Sequence, residues 1–167
     1  MNLFSGGVRG AAGIALQYAL VALLSYVIAG LVTALLEGGP QSAMIGGLWA
    51  MISGIVVMQE RRADTESSAL LRVLGSLIGA VFAAAYLLVL PFNPVGMALL
   101  IGITVLACQA IAVPAHGRLA AVTVGVVMVF STLNPETGPV LNAALRFGEV
   151  VIGSCVAVLA VRLLPEG

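Results

Sequence analysis

Long apolar stretches separated by short polar breaks follow one another along the whole chain. A bilayer core takes roughly 20 apolar residues as a helix. Six stretches reach or approach that length: about 11–36, 41–58, 69–90, 95–113, 118–133 and 143–164. Because these runs are continuous and do not alternate with polar residues, they predict helices and not the strands of a barrel. The pattern predicts an all-α integral membrane protein with six transmembrane helices, in which residues 1–167 form one transmembrane domain.

The breaks between the apolar runs have the composition of turns, with Gly, Pro and polar side chains. They cover residues 37–40, 59–68, 91–94, 114–117 and 134–139. We expect residues 61–66, which carry most of the charge of the second break, to form a solvated loop. The single histidine, His116, is also expected in a loop.

Composition supports a membrane protein and excludes several other classes. The chain is 61% hydrophobic and 8% charged with zero net charge, so lipid is the expected surrounding and nucleic acid is not an expected partner. Cys108 and Cys155 lie in apolar runs and are expected to pack as small apolar residues. No cluster with metal-ligand spacing and no nucleophile–base arrangement is visible, so we predict no metal, no cofactor and no enzymatic activity.

The arginines predict the orientation in the membrane. Cytoplasmic loops are enriched in Lys and Arg. Five arginines fall on one side of the membrane if both termini are cytoplasmic: Arg9, Arg61, Arg62, Arg118 and Arg162. The opposite breaks carry Glu37 and Glu136. Arg146, at the outer end of the sixth span, is the exception to this rule and therefore suggests a role other than orientation.

An internal duplication relates the two halves of the chain. Arg72 and Arg146 lie 74 residues apart, and each follows Ala-x-Leu and precedes Ile-Gly by six residues. Pro40 and Pro114 share the same offset, as do Leu90-Pro91 and Leu164-Pro165. Repeat one covers about 11–91 and repeat two about 95–165. Since each repeat holds three spans, the second must be inverted relative to the first, which is a signature of transporters.

Transporters with inverted repeats often build their site from short, interrupted spans at matching positions. Spans two and five fit this description, because the apolar runs 43–58 and 119–133 are short and contain Gly, Ser or Thr. Local thinning of the bilayer, or burial inside a bundle, would explain the same short runs.

Arg72 and Arg146 are the leading candidates for substrate binding. Under the inverted repeat they lie near opposite faces of the membrane, so an anion crossing the protein would meet one guanidinium at each mouth. A guanidinium donates two hydrogen bonds to a carboxylate and stays charged at any cellular pH. The alternative for both residues is a long side chain that extends towards the membrane interface and contacts lipid with its stem.

Four other residues are weaker candidates for the substrate site. Glu149 follows Arg146 by three residues, which predicts either an ion pair along one helix or a carboxylate that titrates protons or gates the substrate. Trp49 lies mid-span, where it would stack on an aromatic substrate or pack in the core. Gln109 and Tyr26 are polar groups placed deep in spans four and one, where hydrogen bonding between helices is the alternative role.

Residues 71–80, Leu-Arg-Val-Leu-Gly-Ser-Leu-Ile-Gly-Ala, resemble the Arg-x-x-Gly-[Thr/Ser]-x-x-Gly element of the fusaric-acid-resistance family. That family includes aromatic acid exporters, and plant aluminium-activated malate transporters are related to it. Residues 48–59 resemble the preceding span of the family, and residues 146–153 are similar to the repeated element in its sixth span. The resemblance implies six helices in two halves, a homodimer in the bacterial inner membrane, and organic anions that pass arginines on spans three and six. Those arginines are Arg72 and Arg146 here.

Residues and resemblance together predict a transporter or efflux protein for small organic anions, with aromatic carboxylates as the expected substrates. Two alternatives stay open. A passive anion channel would use the same arginines without coupling to protons. A scaffold or accessory subunit of a larger membrane complex would use the glycine-lined helices for assembly and carry no substrate.

Overall fold

A computed structural model describes residues 3–164, with side chains described from Ala11 onward. The described residues form six α-helices and no strand. The helices are α1 Leu3–Glu37, α2 Pro40–Val57, α3 Arg62–Val89, α4 Pro94–Ala110, α5 Pro114–Leu133 and α6 Pro139–Leu163. The all-α prediction is therefore confirmed. The side chain of Arg9 and the whole of Pro165, which entered the orientation and repeat arguments, lie outside the described residues.

Five of the six described helices are long and apolar enough to cross a membrane. The exception is α4, which is apolar but has 17 residues. At 1.5 Å per residue it covers about 25 Å, less than a hydrocarbon core of roughly 30 Å. Of the two spans expected to be short, α2 has 18 residues and is the second shortest described helix, whereas α5 has 20 residues and does not meet the expectation. Both helices begin earlier than their apolar runs. Their first turns include Pro40 and Pro114, which the sequence pattern assigns to breaks.

Proline begins four of the helices, at Pro40, Pro94, Pro114 and Pro139. Proline suits the first helical position because its φ is already helical and its missing N–H would have no partner there. At α4 the preceding residue, Asn93, completes the start, since its Oδ1 accepts from the Gly96 N–H at 2.6 Å. The expected loop around His116 is therefore wrong, because that residue lies in the first turn of α5.

The polar residues at the start of α3 are helical, which corrects the expected loop at 61–66. Three contacts hold this turn. The Gln59 N–H donates to Thr65 Oγ1 at 2.9 Å, and Arg162 Nε lies 2.7 Å from Glu66 Oε1. Arg62 Nη2 donates to the carbonyl of Leu164, at the end of α6, at 3.3 Å. A polar helical segment is stable here because tertiary contacts, and not an apolar stripe, hold it in place.

The chain divides into two compact units, and α3 and α6 contribute to both. Unit one comprises Met1–Ala69 and Ile152–Gly167, and unit two comprises Leu70–Val151. In unit one α1 packs along α2, and its described core contains Val21, Val57, Met58, Ala69, Ala157 and Val161. In unit two α4 packs on α5, and its described core contains Ala80, Ala83, Leu100, Val124, Val127, Met128 and Ala143.

Two glycines at equivalent positions of the repeat allow helix backbones to touch. A Cβ on Gly79 of α3 would overlap the Ala120 carbonyl oxygen of α5, and a Cβ on Gly153 of α6 would overlap the Ala50 carbonyl oxygen of α2. The third helix of each repeat thus packs against the second helix of the other repeat. This reciprocal packing is the pattern that an inverted repeat would produce, and the inverted relation itself stays a prediction.

A tight turn ends α4, in which Ala112 has a left-handed backbone with φ 58°. The Val113 N–H donates to the Cys108 carbonyl at 2.9 Å, and the Ala112 N–H donates to the Gln109 carbonyl at 3.1 Å. These two bonds define a helix ending in which glycine normally occupies the left-handed position.

Ala112→Gly is expected to stabilise the protein by about 0.5–1 kcal/mol, because the left-handed backbone costs an alanine roughly 1–2 kcal/mol and glycine loses more freedom on folding. The matched control is Ala110→Gly in the last turn of α4, which should lower stability by about 0.5–1 kcal/mol. Thermal unfolding in detergent, followed by circular dichroism, compares the two variants. An Ala112→Gly protein no more stable than Ala110→Gly would contradict this account of the turn.

Candidate functional site

Three charged side chains are buried in unit two. Arg72 on α3 is 3% exposed, and Arg146 and Glu149 on α6 are 1% and 2% exposed. An arginine that extends to the membrane interface keeps its guanidinium in water. Burial of both guanidinium groups therefore argues against that alternative for Arg72 and for Arg146. Buried ionisable groups within a membrane protein are costly and are commonly functional.

The guanidinium of Arg146 contacts a carboxylate and an aromatic ring. Its Nη2 lies 2.9 Å from Glu149 Oε1, and the Phe130 ring of α5 lies with its centroid 5.1 Å from the guanidinium carbon. The ion pair that the three-residue spacing predicts along α6 is therefore present. A cation over an aromatic face is attracted by the ring quadrupole, more strongly when both are removed from water. The edge of the guanidinium thus contacts a carboxylate, and a phenyl ring lies against the group.

One hydrogen bond fixes α6 against α5 beside this group. Asn142 Nδ2 donates to the Val127 carbonyl at 2.9 Å, and Asn142 is 3% exposed. Asn142 and Arg146 share a face of α6, and Val127 and Phe130 share a face of α5, because residues three or four apart are neighbours on a helix. The bond therefore sets the separation at which the Phe130 ring covers the guanidinium.

Arg72 shares a face of α3 with the residues that pack on α5. Gly75 lies so close to Leu119, and Gly79 so close to Ala120, that a Cβ on either glycine would overlap the neighbouring residue. Between them Thr123 Oγ1 donates to Ser76 Oγ at 3.0 Å, with both hydroxyls fully buried. Because Arg72 precedes Gly75 by three residues and Ser76 by four, it lies on the same face of α3, one turn before the contacts with α5.

The other predicted site residues lie elsewhere. Trp49 of α2 is buried, and the ring of Tyr26 on α1 packs against Gly47 of α2, so both belong to helix packing in unit one. This placement favours core packing over substrate stacking for Trp49. Gln109 is exposed in the last turn of α4, so the expectation that it lies deep in a span is wrong, because the helix ends one residue later. Contact of any of these residues with substrate stays a prediction.

Sequence reasoning missed Phe130 and Asn142. Asn142 lies four residues before Arg146, and this spacing becomes informative only when α6 begins at Pro139. Phe130 has no sequence signal, since its place over Arg146 follows from the packing of two helices.

Unit one contains a cavity of about 330 Å³ between the interior of α1, the C-terminal ends of α2 and α6, and the start of α3. Its polar lining comes from Gln17, Tyr18, Gln59, Glu60 and Arg62.

Both cysteines are free thiols, Cys108 buried and Cys155 exposed. Among residues 3–164, no three His, Cys, Asp or Glu side chains group so as to hold a metal ion.

Five apolar helices long enough to cross a membrane define a multi-pass membrane protein, and its unit two holds a buried cation–carboxylate pair. A family model described as fusaric acid resistance protein-like matches residues 28–160, and the chain belongs to that family. The resemblance drawn from residues 71–80 and 146–153 is thereby confirmed, and membership indicates a membrane transport or efflux role. Searches of the curated proteins and of the solved structures each found no match.

Proposed function

We propose that this protein moves small organic anions across the membrane, with aromatic carboxylates as its preferred substrates, along a path that includes Arg72 and Arg146. The observation that carries the proposal is the buried Arg146 guanidinium, held between Glu149 and Phe130 in a member of a transporter family.

The present contacts of Arg146 argue for the substrate class. A carboxylate lies against its edge at 2.9 Å, and a phenyl ring lies at 5.1 Å. An aromatic carboxylate carries the same two groups in one molecule, so it would satisfy the guanidinium in the same way. The family takes its name from resistance to fusaric acid, which is itself an aromatic carboxylic acid.

The repeat supports a role for Arg72 in the same path. It occupies the position equivalent to Arg146, and it is buried as Arg146 is. The proposal includes an inverted relation between the two repeats, which would place one arginine towards each face of the membrane. It also includes a homodimer in the bacterial inner membrane with both termini in the cytoplasm, as the family resemblance implies.

A flux measurement in proteoliposomes tests the proposal. Phthalate is a suitable probe because its two charges near neutral pH keep it from crossing a bare bilayer. We expect saturable phthalate flux well above that of protein-free vesicles, and slower flux of malate, which has two carboxylates and no ring. Folded protein that moves neither anion faster than protein-free vesicles would contradict the proposal and favour the scaffold alternative. Large unitary currents in planar bilayers would instead identify a passive channel.

A further inference from the structure

We propose that the cavity of unit one binds a membrane phospholipid with an ethanolamine headgroup, whose phosphate lies against Arg62 and whose ammonium lies against Glu60. The chemistry that the cavity recognises is a phosphate ester that carries a primary ammonium and is joined to apolar chains. This site belongs to unit one, whereas Arg72 and Arg146 belong to unit two, so the inference does not depend on the proposed function.

The cavity lies where the apolar part of α2 ends. The 18 residues of α2 cover about 27 Å, close to a hydrocarbon core of roughly 30 Å. A two-residue turn joins α1 to α2, and Gly54 of α2 lies against Val21 of α1. Since the two helices are antiparallel, Tyr18 is level with Val57, the last residue of α2. The cavity is therefore at the depth where lipid headgroups meet the hydrocarbon core.

The cavity walls combine a polar and an apolar lining. Beside its five polar residues, four apolar side chains line it: Ile14, Met58, Val161 and Leu164. Its volume of about 330 Å³ is at the lower end of the range for ligand pockets, roughly 300–1,000 Å³. A molecule with a small polar head and an apolar remainder matches both parts of the lining.

Exposed apolar surface continues from the cavity along α1. Leu24 and Ile28 follow Gln17 by seven and eleven residues, so all three lie on the same face of the helix. Leu24 is 47% exposed and Ile28 is 42% exposed. Acyl chains attached to a headgroup in the cavity would extend along these side chains towards the membrane interior. This continuity favours a lipid over a soluble molecule as the occupant.

The charges at this end of unit one are balanced. Among its described side chains three arginines are matched by three acids: Arg61, Arg62 and Arg162, with Glu60, Asp64 and Glu66. Sites for anionic lipids have instead an excess of cations, in clusters of roughly four to eight Lys or Arg. The cavity itself is lined by one charge of each sign, Arg62 and Glu60. A headgroup that carries both charges is the complement of this lining.

Arg62 is held at the cavity wall by a bond that leaves room for a phosphate. Its Nη2 donates to the Leu164 carbonyl at 3.3 Å. A guanidinium has five N–H donors and commonly binds phosphate oxygens with two of them. The hydroxyl of Tyr18 and the amides of Gln17 and Gln59 add further hydrogen-bonding groups to the same lining.

The acceptors of the lining select a primary ammonium. Glu60 contributes a carboxylate, which accepts from the N–H groups of an ammonium. A quaternary ammonium such as choline has no N–H to donate, and proteins recognise it with a cage of several aromatic rings. Tyr18 is the only aromatic side chain among the described residues that line the cavity. Ethanolamine is therefore expected to bind more tightly than choline.

Native mass spectrometry of the purified protein in mild detergent tests the site. The probes are phosphatidylethanolamine, phosphatidylcholine and phosphatidylglycerol with identical acyl chains, so only the headgroup differs. We expect the first bound phosphatidylethanolamine to be held about tenfold more tightly than either of the other lipids, the effect of one charge-assisted hydrogen bond.

Glu60→Gln is the decisive variant, since Glu60 is exposed and its replacement leaves the fold intact. It should bind phosphatidylethanolamine about tenfold more weakly and phosphatidylglycerol more tightly, because the carboxylate that attracts the ammonium and repels the anion is gone. Asp64→Asn is the matched control. It removes the same charge from an exposed acid of the same end that does not line the cavity, and should keep the parental preference.

Equal affinities of the parent for the three lipids, or tighter binding of phosphatidylglycerol, would overturn the proposal. A folded Glu60→Gln protein with the parental preference would overturn it as well, and so would an Asp64→Asn protein that has lost this preference. Glycerophosphoethanolamine, the same headgroup without acyl chains, separates the two sources of the chemistry. Its failure to displace the lipid at equal concentration supports the lipid, and displacement would identify a soluble zwitterion as the ligand and overturn the lipid.

Discussion

Arg146→Ala is expected to abolish carboxylate transport and to destabilise the fold markedly. The change leaves Glu149, 2% exposed, without the guanidinium that lies 2.9 Å from it. Removal of one partner from a buried ion pair typically costs about 3–5 kcal/mol, because the remaining charge stays buried and loses that counter-charge. The Phe130 ring also loses the cation against which it packs. Thermal unfolding in detergent measures the stability, and phthalate flux in proteoliposomes measures the transport.

The double variant Arg146→Ala with Glu149→Gln separates the two effects. The double variant leaves no buried carboxylate without its counter-charge, so a part of the lost stability should return, while the cavity left by the arginine side chain keeps the protein less stable than the parent. Transport should not return, since each charge-assisted hydrogen bond lost to the substrate is worth about 1.5–3 kcal/mol, or tenfold or more in affinity. Arg146→Lys should retain a part of the activity, because an ammonium cannot form the bidentate fork. A single Arg146→Ala variant as stable as the parent would contradict the energetic role of the pair.

Gly153→Ala should lower the stability by about 1–3 kcal/mol, the usual cost of overpacking a close contact. The new Cβ would overlap the carbonyl oxygen of Ala50, which belongs to the backbone of α2 and cannot turn aside as a side chain could. We expect the two helices to separate locally and the melting temperature to fall. Gly79→Ala should behave alike, since its Cβ would overlap the Ala120 carbonyl oxygen of α5.

Gly148→Ala is the matched control on the same helix. No atom lies within 4 Å of a Cβ at this position, so the added methyl meets open space. Alanine in place of an interior helical glycine should then stabilise the protein by about 0.5–1 kcal/mol. Equal melting temperatures for the Gly153→Ala and Gly148→Ala proteins would show that the close approach of α6 and α2 is not required.

The apolar pattern was sufficient to predict six helices, because the side chains on the exposed faces of these helices are largely apolar, as are those in the cores. It could not place the helix ends. The sequence pattern assigns Arg62 and Glu66 to a loop. In the structure they contact Leu164 and Arg162, which are far away along the chain, and these contacts hold their segment as a helix. The sequence pattern also assigns Pro114 and Pro139 to breaks. Each is the first residue of a helix in the structure, because proline is compatible with the first helical position.

The candidate site was predictable where its members lie on one helix. The spacing of Arg146 and Glu149 alone predicts their ion pair, since residues three apart meet on a helix. Contact with Phe130 was not predictable, because it depends on how closely α5 approaches α6, which the Asn142 hydrogen bond to the Val127 carbonyl sets. For Gln109 the sequence led to the wrong position. The apolar run continues past this residue, so it was expected deep in a span, but α4 ends at Ala110 and Gln109 is exposed.

Phthalate flux through three proteins reconstituted at equal density tests the central claim most directly, that the buried pair on α6 carries the anion. They are the parent, the double variant Arg146→Ala with Glu149→Gln, and a second double variant, Arg162→Gln with Glu66→Gln, which neutralises the exposed ion pair of unit one. The account predicts flux near that of protein-free vesicles for the first double variant and parental flux for the second. Parental flux through a folded Arg146→Ala with Glu149→Gln protein would contradict it.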